Sequence, residues 1–210
     1  MQFTTRDKLM FDILTTKVRA LSLNQIAIEF FGGDFANANR RLRQLVATKV
    51  IARQRLIARQ LPQPTEPCFV WTPATPPPSF EVVARMVKRR WSRLPTRMTA
   101  VYFAEARFSS IVGNRAKGRL MHPLQISHDL GLASIYLHFL HKHPQRASQW
   151  LGEDSFESRN QRKKQTPDAV IIDGNFRPAL AIEFGGIYTA DRIERFHRHC
   201  SARSLPYEIW

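Results

Sequence analysis

Hydrophobic side chains recur at helical spacing through the N-terminal part of the chain. Leu9, Met10, Ile13 and Leu14 form one stripe between residues 5 and 17 and predict a first helix. Ser22 is placed to cap a short second helix, Leu23 to Phe31, in which Ile26, Ala27, Phe30 and Phe31 are the apolar positions. Gly32 and Gly33 end it, because a left-handed turn costs glycine little. Asp34 is the cap of a third helix whose buried stripe is Phe35, Ala38, Leu42, Leu45 and Val46. Two strand-like pieces follow, Val50 to Leu56 and Cys68 to Thr72.

Helix, short helix, tight turn, basic helix and hairpin is the order of a winged helix-turn-helix. The third helix leaves Asn37, Arg40, Arg41 and Gln44 on its outer faces. Arginine and side-chain amides can make paired hydrogen bonds to guanine and adenine edges, while neighbouring arginines grip phosphate. The hairpin, carrying Arg53, Arg55 and Arg59, would be the wing. The competing reading is a solvated basic face on a module that dimerises or binds protein.

Seven of the thirteen prolines fall between Leu61 and Phe80, and the run Pro76 to Pro78 reads as a stiff connector. The expected division is a winged helix at 1–75, a linker at 76–80 and a second domain at 81–210. That second domain opens on a helix, Phe80 to Trp91, with Lys88, Arg89 and Arg90 clustered as candidate phosphate contacts. Val101 to Phe108 reads as a strand, Arg115, Lys117 and Arg119 as a basic loop, and His128 to His141 as an apolar helix. His138, His141 and His143 lack a matching carboxylate or cysteine set and read as helix-end residues rather than metal ligands.

Near the C-terminus, two apolar runs flank the turn-rich Asp173-Gly174-Asn175-Phe176-Arg177-Pro178 and predict a hairpin. Asp168 then begins the first strand and Glu183 ends the second, so their carboxylates meet at the open end. Such a pair can share a divalent metal, Mg²⁺ or Mn²⁺, that activates water for attack on phosphate, with Glu153 or Asp173 as further ligands. The alternative is structural: Asp168 bonds backbone N–H groups and Glu183 pairs with Arg192 or Arg195. A helix from Thr189 to Cys200 and a strand from Leu205 to Trp210 complete the chain.

Composition sharpens this picture. The 210 residues carry 32 Lys and Arg against 17 Asp and Glu, a net charge of +15, so a polyanion, double-stranded DNA first of all, is the expected partner. Residues 1 to 80 hold a net of +6, residues 81 to 166 a net of +10, and residues 167 to 210 a net of −1, which separates the carboxylates from the basic parts. No apolar run approaches the roughly 20 residues that span a bilayer. The N-terminus has no signal-peptide pattern, and Cys68 and Cys200 are too few for a disulfide framework, so the expected location is the cytoplasm.

The helix, strand, strand, helix, strand order with Pro167-Asp168 and Glu183 resembles the core of PD-(D/E)XK nucleases. Over nearly all its length the chain resembles the plasmid replication-relaxation proteins, which include relaxases of the MobC type. The resemblance rests on the winged helix, His122-x-Leu124-x-Ile126, Trp150-Leu151-Gly152-Glu153, Pro167-Asp168, and Glu183 ahead of an arginine-bearing helix. It implies an α+β protein of a mobile element, an N-terminal winged helix binding DNA before an α/β nuclease-like domain. An active nuclease of that fold carries Lys two residues after the Glu, and that position is Gly185 here. Arg192 or Lys164 are the available replacements, and arginine, always charged, is a poor proton carrier. Two expectations follow: a DNA-binding protein with a degenerate nuclease-like domain, or a metal-dependent nickase using Asp168 and Glu183. A homodimer, doubling a short half-site, is expected with either.

Overall fold

The computed structural model describes residues 2–105, 125–153 and 166–210. Lys164 and the loop with Arg115, Lys117 and Arg119 lie outside the described residues, as do His122 and Leu124. The chain is mixed α and β and forms two compact units, Met1–Leu61 with Thr96–Leu137, and Pro62–Pro95 with His138–Trp210.

The first unit begins with α1 (Thr5–Asp12), whose Thr4 and Asp7 form a reciprocal capping box. The predicted single helix of residues 5–17 finishes as a π-helical turn, Ile13–Lys17, with the Val18 N–H donating to Ile13 O at 3.0 Å. The reason is local. Thr15 and Thr16 turn their hydroxyls back onto Phe11 O at 3.0 Å and Asp12 O at 2.8 Å, competing with the regular ladder. After β1 (Leu21–Ser22), Ser22 and Gln25 box the start of α2 (Leu23–Phe31), and Gly32 closes it in the left-handed region at φ +58°. Asp34 caps α3 (Phe35–Ala47), which buries Ala38, Leu42 and Leu45. Phe35, expected inside, is 43% exposed because it stands in the first turn, where no preceding turn of helix covers it.

The expected β-hairpin between 50–56 and 68–72 does not form. β2 (Ile51–Arg59) instead pairs antiparallel with β4 (Thr96–Ala104) over nine residues, and β1 pairs with the far edge of β4, giving the order β1-β4-β2. A nine-residue strand gains more backbone pairing from 96–104 than from a three-residue partner set among prolines. One face of the ribbon buries Ala58, Val101 and Phe103 with Ile126 and Leu130. Those two come from α5 (Ile126–Lys142), on which Leu132, Ala133, Ile135 and Tyr136 are also buried.

The second unit holds a five-stranded sheet ordered β3-β8-β7-β6-β5, where β3 is Phe69–Trp71, β5 Trp150–Gly152, β6 Ala169–Ile172, β7 Pro178–Glu183 and β8 Tyr207–Ile209. β5, β6 and β7 form an antiparallel meander; α7 (Ala190–Ser201) then leads to β8, which runs parallel to β7. The short helix α6 (Pro144–Ser148) precedes β5. Helices α4 (Phe80–Ser92) and α7 bury Val83, Val87, Ile193 and Phe196 in one cluster with Ala181, Tyr207 and Ile209.

The units therefore do not follow the expected division at 76–80. Trp71, expected in the first domain, is 5% exposed in the second unit's core, while 96–104 supplies the first unit's central strand. The proline-rich stretch is thus part of the second unit rather than a connector between the two, because β3 joins its sheet edge and Ser79 precedes α4.

Candidate nucleic-acid interface and carboxylate pair

The first unit carries 16 basic and 6 acidic side chains, a net of +10, against 16 and 11 in the second. On α3, Asn37, Arg40, Arg43 and Gln44 are exposed. Asn37 is not idle: its amide N–H₂ donates to the Asp34 carboxylate and its oxygen accepts from Arg40, so one chain of bonds orders the outer edge of the helix.

Arg41 has a different role from the one expected of it. Its guanidinium donates to both Asp7 oxygens, at 3.1 and 2.5 Å, and to Gln2 O at 2.9 Å, and its Nη1 donates to Gln44 at 3.0 Å. Burial alone would raise the Asp7 carboxyl, but the bonds from Arg41 and Thr4 outweigh it and hold the pKa below its ordinary value. Arg41 therefore ties α3 to the start of α1 and spends most of its donors inside the protein. A groove of about 500 Å³ opens beside this tie, between the N-terminal turn of α1 and the outer edge of α3, with Arg6 and Arg40 among its walls.

Arg6 and Arg43 were not anticipated from sequence. Arg6 donates to Phe30 O at 3.3 Å and lies 4.0 Å from the Phe31 ring centroid, a cation over an aromatic face. Arg43 is recognisable by its three-residue spacing from Arg40. On the ribbon, Arg53 and Arg55 are exposed and Arg59 is half-buried, with its backbone N–H donating to Ser127 Oγ at 2.9 Å. Tyr102 stands opposite Arg53 in the β2–β4 register. Burial pushes its pKa up, while the positive charges of Arg53 and Arg43 pull it down. Arg89 and Arg90 are exposed on α4 of the second unit, where Arg90 Nη1 lies 3.1 Å from Cys68 Sγ.

Asp168 and Glu183 both lie at the open end of the β6–β7 hairpin. The register Ala169↔Ile182 sets Asp168 across from Glu183 at the open end of the β6–β7 hairpin, and both are buried, at 8% and 1% exposure. Their oxygens already hold protein partners. Asp168 Oδ2 accepts the Phe184 N–H at 2.7 Å, and Glu183 Oε1 accepts the Tyr188 hydroxyl at 2.7 Å. Arg192 donates to that same hydroxyl at 2.8 Å, approaches Glu183 Oε1 to 3.6 Å and lies over the Tyr188 ring. Burial, then the Glu183 and Asp168 charges, push the Tyr188 phenol well above its ordinary range, so it stays a donor to Glu183.

Asp173 stands apart from the pair. Asp173 sits at the closed end of the hairpin, accepting the Asn175 and Arg177 N–H groups at 2.8 and 2.9 Å. The Glu153 N–H donates to Asp168 O at 3.0 Å, which brings its backbone alongside. Among the described residues no three His, Cys, Asp or Glu side chains are grouped to hold a metal ion. His138 packs on Trp210 with ring centroids 5.3 Å apart, a contact of the second unit's interior. At Gly185 a Cβ would lie 2.3 Å from Val87 Cγ1, so α4 fills the space a side chain would need there. The described residues do not fit a divalent metal: one oxygen of each carboxylate is spent on the protein, no third ligand among them joins the pair, and a side chain at 185 would collide with Val87.

Among the described residues no helix is long and apolar enough to cross a membrane. No family model matches the chain, and comparison with curated proteins and with solved structures yields no match.

Proposed function

We propose that the protein binds double-stranded DNA through its first unit, and that its second unit is a PD-(D/E)XK-like scaffold that has given up catalysis. The observation that carries the reading is the exposure of Asn37, Arg40, Arg43 and Gln44 on α3 and of Arg53 and Arg55 on β2, all within the more basic of the two units. The order α1, β1, α2, α3, β2, β4 with sheet order β1-β4-β2 supports a winged-helix reading in which β2 and β4 form the wing. In such a module α3 enters the major groove while the ribbon follows the backbone. The meander β5-β6-β7 followed by α7 and a parallel β8 supports the nuclease-like reading of the second unit. Asp168, Glu183 and Gly185, each engaged or enclosed by the protein, support its loss of chemistry. A place among the replication-relaxation proteins of mobile elements, and a homodimer spanning two half-sites, belong to the same proposal.

The experiment is duplex affinity measured against salt. Each neutralised phosphate releases counterions, so the logarithm of affinity should fall linearly with that of salt concentration. Removing Arg43 and Arg53 together should lower the slope by about 2, one for each phosphate that is no longer neutralised. A duplex affinity independent of salt, or a slope unchanged in the double variant, ends the proposal.

A further inference from the structure

The closed end of the β6–β7 hairpin carries a feature that folding does not account for. Phe176 is 83% exposed and its backbone sits in the left-handed region at φ +60°. Bulky side chains avoid that region, and either neighbour type in this turn, glycine or asparagine, would take it at less cost. The ring gains nothing from burial in return.

The turn is nonetheless firmly built. Asp173 Oδ1 accepts the Asn175 and Arg177 N–H groups at 2.8 and 2.9 Å, the Asp173 N–H donates to Arg177 O at 2.8 Å, and the Phe176 N–H donates to Asp173 O at 3.1 Å. A register shift between Ile171 and Ile172 bends the hairpin just before this tip. The result is a rigid tip that holds an aromatic ring in water between an exposed amide, Asn175, and an exposed guanidinium, Arg177. Strain kept in place by its surroundings is characteristic of positions selected for contact rather than for stability.

We propose that Phe176 is a stacking residue for an unpaired nucleobase, with Arg177 on the adjoining phosphate and Asn175 beside the base edge. A flat ring presents a π-face to any base, which makes such stacking tolerant of sequence, and a neighbouring arginine adds charge attraction to the backbone. The carboxylate that could repel phosphate here, Asp173, has its Oδ1 engaged by two N–H groups of the turn. The inference rests on the nucleic-acid reading of the whole chain and adds a second, structure-selective contact to it.

The test uses the full-length chain, a fully paired duplex and the same duplex with a short central bubble carrying 2-aminopurine. Fluorescence anisotropy gives the affinities and 2-aminopurine emission reports stacking. The expected result is tighter binding to the bubble with quenched emission; Phe176→Ala weakens bubble binding about tenfold and leaves the duplex affinity unchanged, and Phe176→Trp restores both the bubble affinity and the quenching. Because the ring is solvent-exposed, Phe176→Ala should keep the wild-type unfolding midpoint, and Phe176→Gly, relieved of the left-handed strain, should not lower it. Equal affinity for bubble and duplex, or a bubble affinity indifferent to Phe176→Ala, overturns the stacking role while salt-dependent duplex binding still upholds the proposed function. Absence of binding to either probe overturns both.

Discussion

Val87 and Gly185 are packed so closely that no side chain fits between them: a Cβ at 185 would meet Val87 Cγ1 at 2.3 Å and Ile209 Cγ2 at 3.1 Å. Helix α4 thus closes over the end of β7 at the position that the proposed nuclease-like reading would give to a lysine. The backbone there is occupied as well, since the Gly185 N–H donates to Trp210 O at 2.9 Å and the Trp210 N–H to Glu183 O at 2.9 Å. The glycine is a packing requirement of α4 against the sheet.

Placing a lysine at 185 should therefore damage the fold rather than confer chemistry. Gly185→Lys is expected to lose about 1–3 kcal/mol through overpacking, and to show no Mg²⁺-dependent nicking of supercoiled plasmid. Because the clash is with one side chain, adding Val87→Ala should recover part of the loss, a coupling that a double-mutant cycle in urea would measure. A Gly185→Lys protein as stable as the wild type would mean that α4 does not seal this position.

How much of this is legible in the sequence depends on the range of the interaction. The caps Ser22 and Asp34, the left-handed Gly32 and the buried Ala38, Leu42 and Leu45 of α3 are local, and each forms where its residues are placed. Asp168 and Glu183 are legible because a tight hairpin fixes its own register. The partner of β2 is not, since Thr96 to Ala104 returns to it after a long excursion and nothing in either strand names the other. Arg41 is deceptive for a related reason. A helical wheel shows that it faces away from α3's own core, but not that Asp7, thirty-four positions earlier, waits there. Val87 over Gly185 is a contact of the same long-range kind.

Arg41 and Arg43 should consequently separate stability from binding. Removing Arg41 leaves the buried Asp7 without its ion-pair partner, and Arg41→Ala should cost about 2–3 kcal/mol in chemical denaturation. Arg43→Ala, at an exposed position, should stay within about 0.5 kcal/mol of wild type while weakening duplex DNA binding. The Asp7 carboxyl has a folded pKa below its ordinary 3.8, so its contribution is present above that pH and is lost as pH falls through the folded value. Arg41→Ala should flatten stability against pH in that acid window. An Arg41→Ala protein of wild-type stability with impaired DNA binding would reverse these assignments.

His197 gives the second unit a separate pH response. It is buried against Trp71, with ring centroids 4.9 Å apart, and its Nδ1 lies 3.2 Å from the Tyr207 hydroxyl. Burial holds its pKa below the ordinary 6.5, so the unfolded chain takes up a proton before the folded one does. Stability from this group is therefore full above about 6.5 and declines as pH falls through that value towards the folded pKa. Thermal unfolding between neutral and mildly acid pH should show the decline, and His197→Gln should reduce it; an identical profile in the variant would place the titration elsewhere.

Asp168 provides the sharpest test of whether the carboxylate pair serves structure or chemistry. Asp168→Ala removes the acceptor of the Phe184 N–H, a buried donor, and is expected to cost about 1–3 kcal/mol, whereas Asp168→Asn keeps an oxygen in reach and should cost less. A carboxylate pair built for a metal behaves otherwise. Neutralising one member would relieve repulsion in the absence of metal and raise the melting temperature, and Mg²⁺ or Mn²⁺ would stabilise the wild type but neither variant, since a ligand that binds only the folded state raises its stability by mass action. With one oxygen of each carboxylate held by Phe184 and Tyr188, the expected outcome is a wild-type melting temperature indifferent to either ion and the order wild type, Asp168→Asn, Asp168→Ala. A metal-dependent rise confined to the wild type would return Asp168 and Glu183 to the chemistry of a nickase.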